Sequence, residues 1–277
     1  MTKLRRSTQL LTLIVVNLGF TPAFKVGVPC PAFYCYGCPW ATFACPIGVF
    51  QTYAALGPFS ALNAFPFYAI GIMGLFALFF GRFWCGWACP FGTIQDVMTW
   101  ARRRRPDFIN VPRFPWTGFA VLIGALIIAW IATDNLFCKV CPAGSLFAAI
   151  PQRFVNPDLN FGTFFYVHLG TLAISVVAFI LIGRFWCRYL CPLGIGIFGI
   201  FNRVSFLKVT PDMDKCSGCG KCMDVCPAKI DQPEDIENSV DCIRCGKCVE
   251  ACPTNAIRIT FAIRRRAPLA RRLPPDS

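Results

Sequence analysis

The sequence predicts an all-helical membrane fold built as a tandem repeat, followed by a small, cysteine-rich α+β domain. Three observations carry that prediction. The 277-residue chain is 56% hydrophobic and only 15% charged, with 28 Phe, which is too apolar for an ordinary soluble domain. The stretch "GRFWCGWACPFG" at 81–92 returns as "GRFWCRYLCPLG" at 183–194. Eight of the 18 cysteines fall between residues 216 and 252.

Four runs have the length and apolarity of membrane spans, at roughly 8–24, 62–80, 116–133 and 163–182. The first follows Lys3, Arg5 and Arg6. Its apolar stretch continues to Phe24 without a small-residue cleavage site, so a retained helix is expected rather than a signal peptide. With the N-terminus inside, the inner segments hold Lys3, Arg5, Arg6, Arg82, Arg102 to Arg105, Arg113, Arg184, Arg188 and Arg203. The outer segments hold only Lys25, Lys139 and Arg153. That positive-inside bias predicts a multi-pass protein of the cell inner (cytoplasmic) membrane, with the N-terminus and the C-terminal domain cytoplasmic. The net charge of +13 is thereby read as topology and lipid contact, and nucleic acid is excluded as a partner, because the cations flank hydrophobic runs.

The outer segments "ACPIGVFQTYAALGPF" (44–59) and "VCPAGSLFAAIPQRF" (140–154) are apolar but too short to span, and read as half-helices on or dipping into the outer face. Each repeat is therefore a span, an outer cysteine loop with a half-helix, a second span and an inner cysteine motif. Cys85 maps to Cys187 and Cys89 to Cys191. Two spans per copy give both copies the same orientation, with a pseudo-twofold axis along the membrane normal. The expected organisation is a membrane domain over 1–206, with repeats at about 8–100 and 116–203, then a domain over 207–260 and a basic, disordered tail at 261–277 that lies against anionic lipid.

The C-terminal chemistry is the most specific. "CSGCGKCMDVCP" and "CIRCGKCVEACP" each spell C-x2-C-x2-C-x3-C-P. Three thiolates at x2 spacing wrap three corners of a cubane, and the fourth, before proline, reaches the neighbouring cluster. Cys216, Cys219, Cys222 and Cys252 are thus assigned to one [4Fe–4S] cluster, and Cys242, Cys245, Cys248 and Cys226 to a second. Paired zinc sites would give no reason for the third x2 step or the terminal Cys-Pro. This is the pattern of a bacterial two-[4Fe–4S] ferredoxin domain.

The membrane cysteines occur in C-P-x-G units at Cys45, Cys89, Cys141 and Cys191. Proline suits the first turn of a helix, so each cysteine caps a helix start, where free N–H groups and the dipole favour an anion such as a thiolate-ligated cluster. On the inner side, Cys85, Cys89, Cys187 and Cys191 are candidates for a third cluster between the repeats. Free thiols working by redox exchange and simple packing are the competing readings there. On the outer side, Cys38, Cys45, Cys138 and Cys141 are candidates for a fourth, with Cys35 or Cys30 as alternative ligands and a disulfide as the competing reading. The two faces are separated by up to ~30 Å of hydrocarbon, so either the half-helices dip deeply or a carrier such as quinone sits between them. Trp84, Trp87 and Trp186 read as an interface belt. Arg82 and Arg184 read as inside anchors and, with the lone His168, as candidate quinone contacts; His168 has packing or hydrogen bonding as its plainer reading.

The double Cys-x3-Cys-Pro membrane motif, "CGWACP" and "CRYLCP", followed by two ferredoxin motifs resembles the membrane polyferredoxins of the NapH/NosR type. The resemblance implies cytoplasmic clusters and electron transfer between the quinol pool and a redox partner, as in a quinol dehydrogenase subunit. The outer "CYGCPWATFACP" and "CKVCP" depart from the nitrate-system members and suggest an outer redox site. The function expected is therefore integral-membrane iron–sulfur electron transfer, linking quinone or a membrane or periplasmic redox protein to a cytoplasmic donor or acceptor. A redox-sensing or assembly factor, or a thiol or metal reductase using the outer cysteines, is the alternative.

Overall fold

A computed structural model describes residues 2–19, 25–35, 37–56, 64–101, 114, 116–158 and 162–261. Arg102 to Arg105, Arg113 and the basic tail lie outside the described residues. The first repeat holds α1 (Thr2–Val16), α2 (Pro46–Leu56), α3 (Ala64–Phe80), the short α4 (Phe83–Trp87) and α5 (Pro90–Ala101). The second holds α6 (Thr117–Ala132), α7 (Leu136–Val140) and α8 (Pro142–Gly144), which passes through a π turn into α9 (Ile150–Val155). It continues with α10 (Thr163–Leu181) and π-helical segments Trp186–Leu190 and Pro192–Gly199. A two-stranded antiparallel sheet of β1 (Leu207–Pro211) and β2 (Ile257–Phe261) then brackets α11 (Lys221–Asp224) and α12 (Lys247–Ala251). Val209 pairs with Ile259 in its register.

A helix lies at each of the four apolar runs, with one shift. The first starts at Thr2 and ends at Val16, because its charged first turns are good helix formers and Arg5 is drawn inward to the carbonyl of Gly86 at 2.8 Å. Among the described residues, Thr163–Leu181 alone is long and apolar enough to cross a membrane; Phe67–Phe80 and Thr117–Ala132 are equally apolar in character but shorter. These helices turn large apolar side chains outward: Phe67 is 74% exposed, Ile131 74% and Ile174 72%.

Helices start at Pro46, Pro90, Pro142 and Pro192, directly after the four C-P-x-G cysteines, as the missing proline N–H favours. The segment 25–45 is the departure from a simple helical bundle. It is irregular, yet Ala32, Phe33 and Tyr34 are buried at its centre. Its backbone groups find partners locally and on α1: Cys30 N–H donates to Ala44 O, Ala44 N–H to Val28 O, and Thr42 N–H to Val16 O. One apolar core thus runs from this segment through the inner cysteine motifs to Ile243 and Cys245 of the C-terminal unit.

That last contact rests on a glycine. A Cβ on Gly86 would lie 2.4 Å from Ile243 O and 3.6 Å from Cys245 Cα, so only a bare backbone lets the second ferredoxin loop seat there. Trp87 Nε1 donates to Arg244 O at 3.0 Å, and Arg244 Nη1 donates back to Phe80 O at 2.7 Å. Gly86→Leu is expected to destabilise this seating by about 2 kcal/mol; limited trypsinolysis should release the 207–261 unit faster than from the wild type.

Candidate metal centres

Spacing assigns the ferredoxin cysteines to two sets, and one of them gathers around a cavity. Cys226, Cys242, Cys245 and Cys248 line one cavity together with Val209, Ile230 and Ile236. Burial pushes the Cys242 thiol up to about 12, a cost that metal ligation by the thiolate offsets. The other set is nearer solvent. Cys222 has Cys216 and Cys252 as electrostatic neighbours, and Cys219 is exposed, its pKa lowered by the Lys221 backbone N–H. Helices α11 and α12 each follow a glycine at positive φ, Gly220 (71°) and Gly246 (76°), which turns the ligand loop back on itself.

The two GRFWC motifs converge. Cys85, Cys89, Cys187 and Cys191 line one small cavity with Phe33, Phe91, Trp186 and Arg82. All four thiols are buried. Cys191 caps its helix by accepting the Gly194 N–H at 3.2 Å. The repeats exchange arginines across this cavity: Arg82 Nη2 donates to Cys187 O at 2.7 Å, and its repeat partner Arg184 donates through Nη1 to Cys85 O at 3.2 Å. Such reciprocity is what two-fold-related copies produce.

Arg82 and Arg184 are therefore buried within the protein and are not surface anchors. Arg184 grips Asp96 with two bonds of 2.8 and 2.5 Å, and Arg5 joins the same carboxylate. Gln9 adds a third side chain at 3.0 Å. Burial alone would raise the Asp96 pKa, but the Arg184 and Arg5 guanidiniums hold it well below the usual carboxylate range. Arg82 also reaches Val240 O at 2.7 Å and Asp241 at 3.5 Å. His168 is similarly occupied, with Nε2 2.7 Å from Cys138 O. Trp87 and Trp186 are buried rather than placed in an interface belt, since the cysteine motifs fold inward and carry them along.

The outer cysteines surround a cavity of about 560 Å³. Its walls carry Cys35, Cys45, Cys138 and Cys141, so Cys35 takes the position the spacing argument gave first to Cys38. Cys38 turns instead toward Asn17, its Sγ 3.9 Å from Oδ1. Cys30 is off the cavity wall, with Cys45 as an electrostatic neighbour.

Two glutamines link these two cysteine sites to the repeat, and spacing arguments based on cysteine alone pass over them. "CPIGVFQ" and "CPFGTIQ" place Gln51 and Gln95 six residues after Cys45 and Cys89. Both are fully buried. Each donates to a sulfur of the other repeat, Gln51 to Cys138 at 3.4 Å and Gln95 to Cys187 at 3.1 Å. The recurrent C-P-x-G-x-x-Q was the available signal.

These surroundings fit iron–sulfur clusters. Buried N–H groups without partners adjoin the inner cavity at Arg82 Nε and Trp186 Nε1, and cluster sulfides would accept from donors of this kind. Four buried arginines (Arg5, Arg82, Arg184 and Arg244) face two carboxylates (Asp96 and Asp241), a positive balance that thiolate ligands would offset. Among the described residues no three His, Cys, Asp or Glu side chains are close enough together to hold a single ion. Three of the quartets instead line cavities, as a multi-atom cluster requires.

Comparison with known proteins agrees. A 4Fe-4S binding domain family matches residues 64–108, 114–155 and 164–205, and a 4Fe-4S dicluster domain family matches 215–257. An uncharacterised protein of Methanocaldococcus jannaschii is 25% identical over 231 residues, 80% of this chain and 89% of that one. The methylamine utilization ferredoxin-type protein MauN of Methylobacillus flagellatus is 28% identical, over 56% of this chain and 52% of MauN. The ferredoxin-type protein NapH of Escherichia coli is 27% identical, over 57% of this chain and 52% of NapH. These matches support the NapH-type polyferredoxin family. The chain spans about half the length of MauN and NapH. No solved structure matches.

Two variants test the geometry of this polyferredoxin. Gln95→Leu removes an N–H···S bond that favours the more negative, reduced state of a bound cluster, so the midpoint potential of the inner centre should fall in an EPR-monitored titration. Asp96→Asn leaves two buried guanidiniums without their carboxylate and should cost about 3 kcal/mol in unfolding experiments on the detergent-purified protein.

Proposed function

We propose that this polyferredoxin is an integral-membrane electron-transfer protein, with two cytoplasmic [4Fe–4S] clusters and two more in the membrane domain. Electrons would pass between the quinone pool or an outer redox partner and a cytoplasmic donor or acceptor. The observation that carries this reading is that twelve cysteines line three cavities in sets of four, beside a fourth set given by the C-x2-C-x2-C-x3-C-P spacing. Spaced CxxC units at the C-terminus account for two; the other two arise only where the repeats face one another.

The clusters supply one-electron redox chemistry, and the chain supplies the setting. Cys85, Cys89, Cys187 and Cys191 would hold the inner cluster, and Cys35, Cys45, Cys138 and Cys141 the outer one. Arg82 and Arg184 fix the Cys187 and Cys85 main chain and offset negative charge. Gln51 and Gln95 orient a ligand sulfur at each site. Apolar walls of Phe33, Phe91 and Trp186 exclude water from the inner cavity. The Gly86 contact seats the second ferredoxin loop beside Cys85, and the more exposed Cys216/Cys219/Cys222/Cys252 set offers the docking face for a soluble partner.

Four crossings by α1, α3, α6 and α10 are part of this proposal. It is supported by the outward-facing apolar residues of α3, α6 and α10 and by the bias of cations toward the inner segments. At 1.5 Å per residue, α10 reaches about 28 Å, close to the hydrocarbon thickness. The two shorter apolar helices suit a bilayer thinned around the deep cysteine loops.

Anaerobic iron and sulfide analysis of the detergent-purified protein tests the reading. Sixteen irons per chain are expected, as four cubanes require. Eight irons, with the ferredoxin pair alone visible by EPR, would remove the membrane clusters. Quinol-dependent reduction of the clusters in proteoliposomes tests the quinone role separately.

A further inference from the structure

Phe33 stands in the wall of both membrane cavities. It lines the inner one beside Cys85, Cys89, Cys187 and Cys191, and the outer one beside Cys35, Cys45, Cys138 and Cys141. The ring is 3% exposed. It packs edge-on against Phe91 at 5.6 Å and tilted against Trp186 at 5.9 Å, and both of those residues also line the inner cavity. No layer of further side chains is needed to separate the two quartets.

The backbone gives a bound on the distance. Cys89 Sγ lies 4.0 Å from Phe33 O, and two residues later the same strand of chain delivers Cys35 to the outer cavity. Standard backbone and side-chain lengths then place the Cys89 and Cys35 sulfurs at most about 14 Å apart. The hydrocarbon core is about 30 Å thick, so the two sites do not sit at opposite faces. The dipping segment 25–45 carries the outer ligands inward, and the choice between deep loops and an intervening carrier falls to the loops.

We propose that the inner and outer sites form one electron conduit, with Phe33 as the partition between them, and that electrons cross this protein without a quinone bridging the two sites. The inference rests on the proposal that both quartets hold clusters. The inner site is continuous in turn with the second ferredoxin set, because Gly86, next to Cys85, abuts Cys245. An electron leaving a low-potential carrier at one face would be handed along the chain to an oxidant at the other, one at a time, with no bond made or broken in the protein. Charge moved in this way must be balanced by an ion crossing the membrane separately.

The experiment uses the full chain in vesicles of quinone-free phospholipid. Ferricyanide is trapped inside, dithionite is added outside, and valinomycin with potassium carries the compensating charge. Each dithionite is oxidised to two sulfites and releases two electrons, which reduce two ferricyanides to ferrocyanide. The expected result is bleaching of trapped ferricyanide well above that of protein-free vesicles. In Cys89→Ser vesicles, that excess is expected to disappear while the ferredoxin signals persist. A second readout needs no turnover: in partly reduced wild-type protein the inner and outer EPR signals should be broadened by mutual spin coupling, and Cys35→Ser should leave the inner signal sharp. Wild-type protein with sixteen irons that bleaches no faster than empty vesicles, or does so only after ubiquinone is added, overturns the conduit while leaving the cluster assignment intact. Uncoupled inner and outer signals in such protein also overturn it. An iron content of eight overturns the cluster assignment and the conduit with it.

Discussion

A buried thiolate cluster is an anion in an apolar medium, and the protein around it must supply positive charge and hydrogen-bond donors. That constraint organises the centre of this polyferredoxin. Arg82 and Arg184 cross between the repeats to reach the carbonyls of Cys187 and Cys85, and Arg5 comes from α1 to share Asp96. Gln51 and Gln95 aim amide donors at sulfurs of the opposite repeat. None of these groups is placed for surface solubility. Each is buried, long enough to cross the seam, and bonded to a main-chain or sulfur acceptor at a cysteine loop.

The same seam explains how the C-terminal unit is attached. Arg244 lies between Cys242 and Cys245, yet its guanidinium reaches Phe80 O and Asn202 O in the N-terminal helical part. Asn202 in turn donates to Cys242 O at 3.0 Å. Burial lowers the Arg244 pKa to about 10, still far above neutrality, so it remains a cation where the second ferredoxin loop meets the inner cysteine motif. The ferredoxin unit is thus more than a soluble carrier on a tether. Its second ligand loop forms part of the wall beneath the inner cysteine motif.

Much of this was legible in residue order. The ferredoxin ligand sets follow from C-x2-C-x2-C-x3-C-P because three ligands of each cluster lie within one tight loop. Helix starts at Pro46, Pro90, Pro142 and Pro192 follow from local backbone chemistry. The inner quartet follows from a repeat that presents the same pair twice. Where expectation and structure part, the deciding contact is long-range. Cys35 and Cys38 are three residues apart in an irregular segment, and spacing cannot say which faces Cys138; the pull of Tyr34 and Cys38 toward Asn17 at the end of α1 does. Arg82 and Arg184 sit at the end of an apolar run like any anchoring arginine, and only the opposing repeat shows that they turn inward.

Sequence by itself determined the chemistry: that thiols recur in spaced sets, that the Cys-x3-Cys-Pro pair is duplicated, and that a two-cluster ferredoxin pattern lies in the C-terminal part of the described chain. Those are properties of nearby residues and of periodicity, which local sterics and hydrophobic patterning express directly. Tertiary structure alone decided how close the two sites come. That closeness depends on an irregular segment buried by packing against α1, with Phe33 packed on Phe91 and Trp186. No local rule specifies contacts between residues so far apart along the chain.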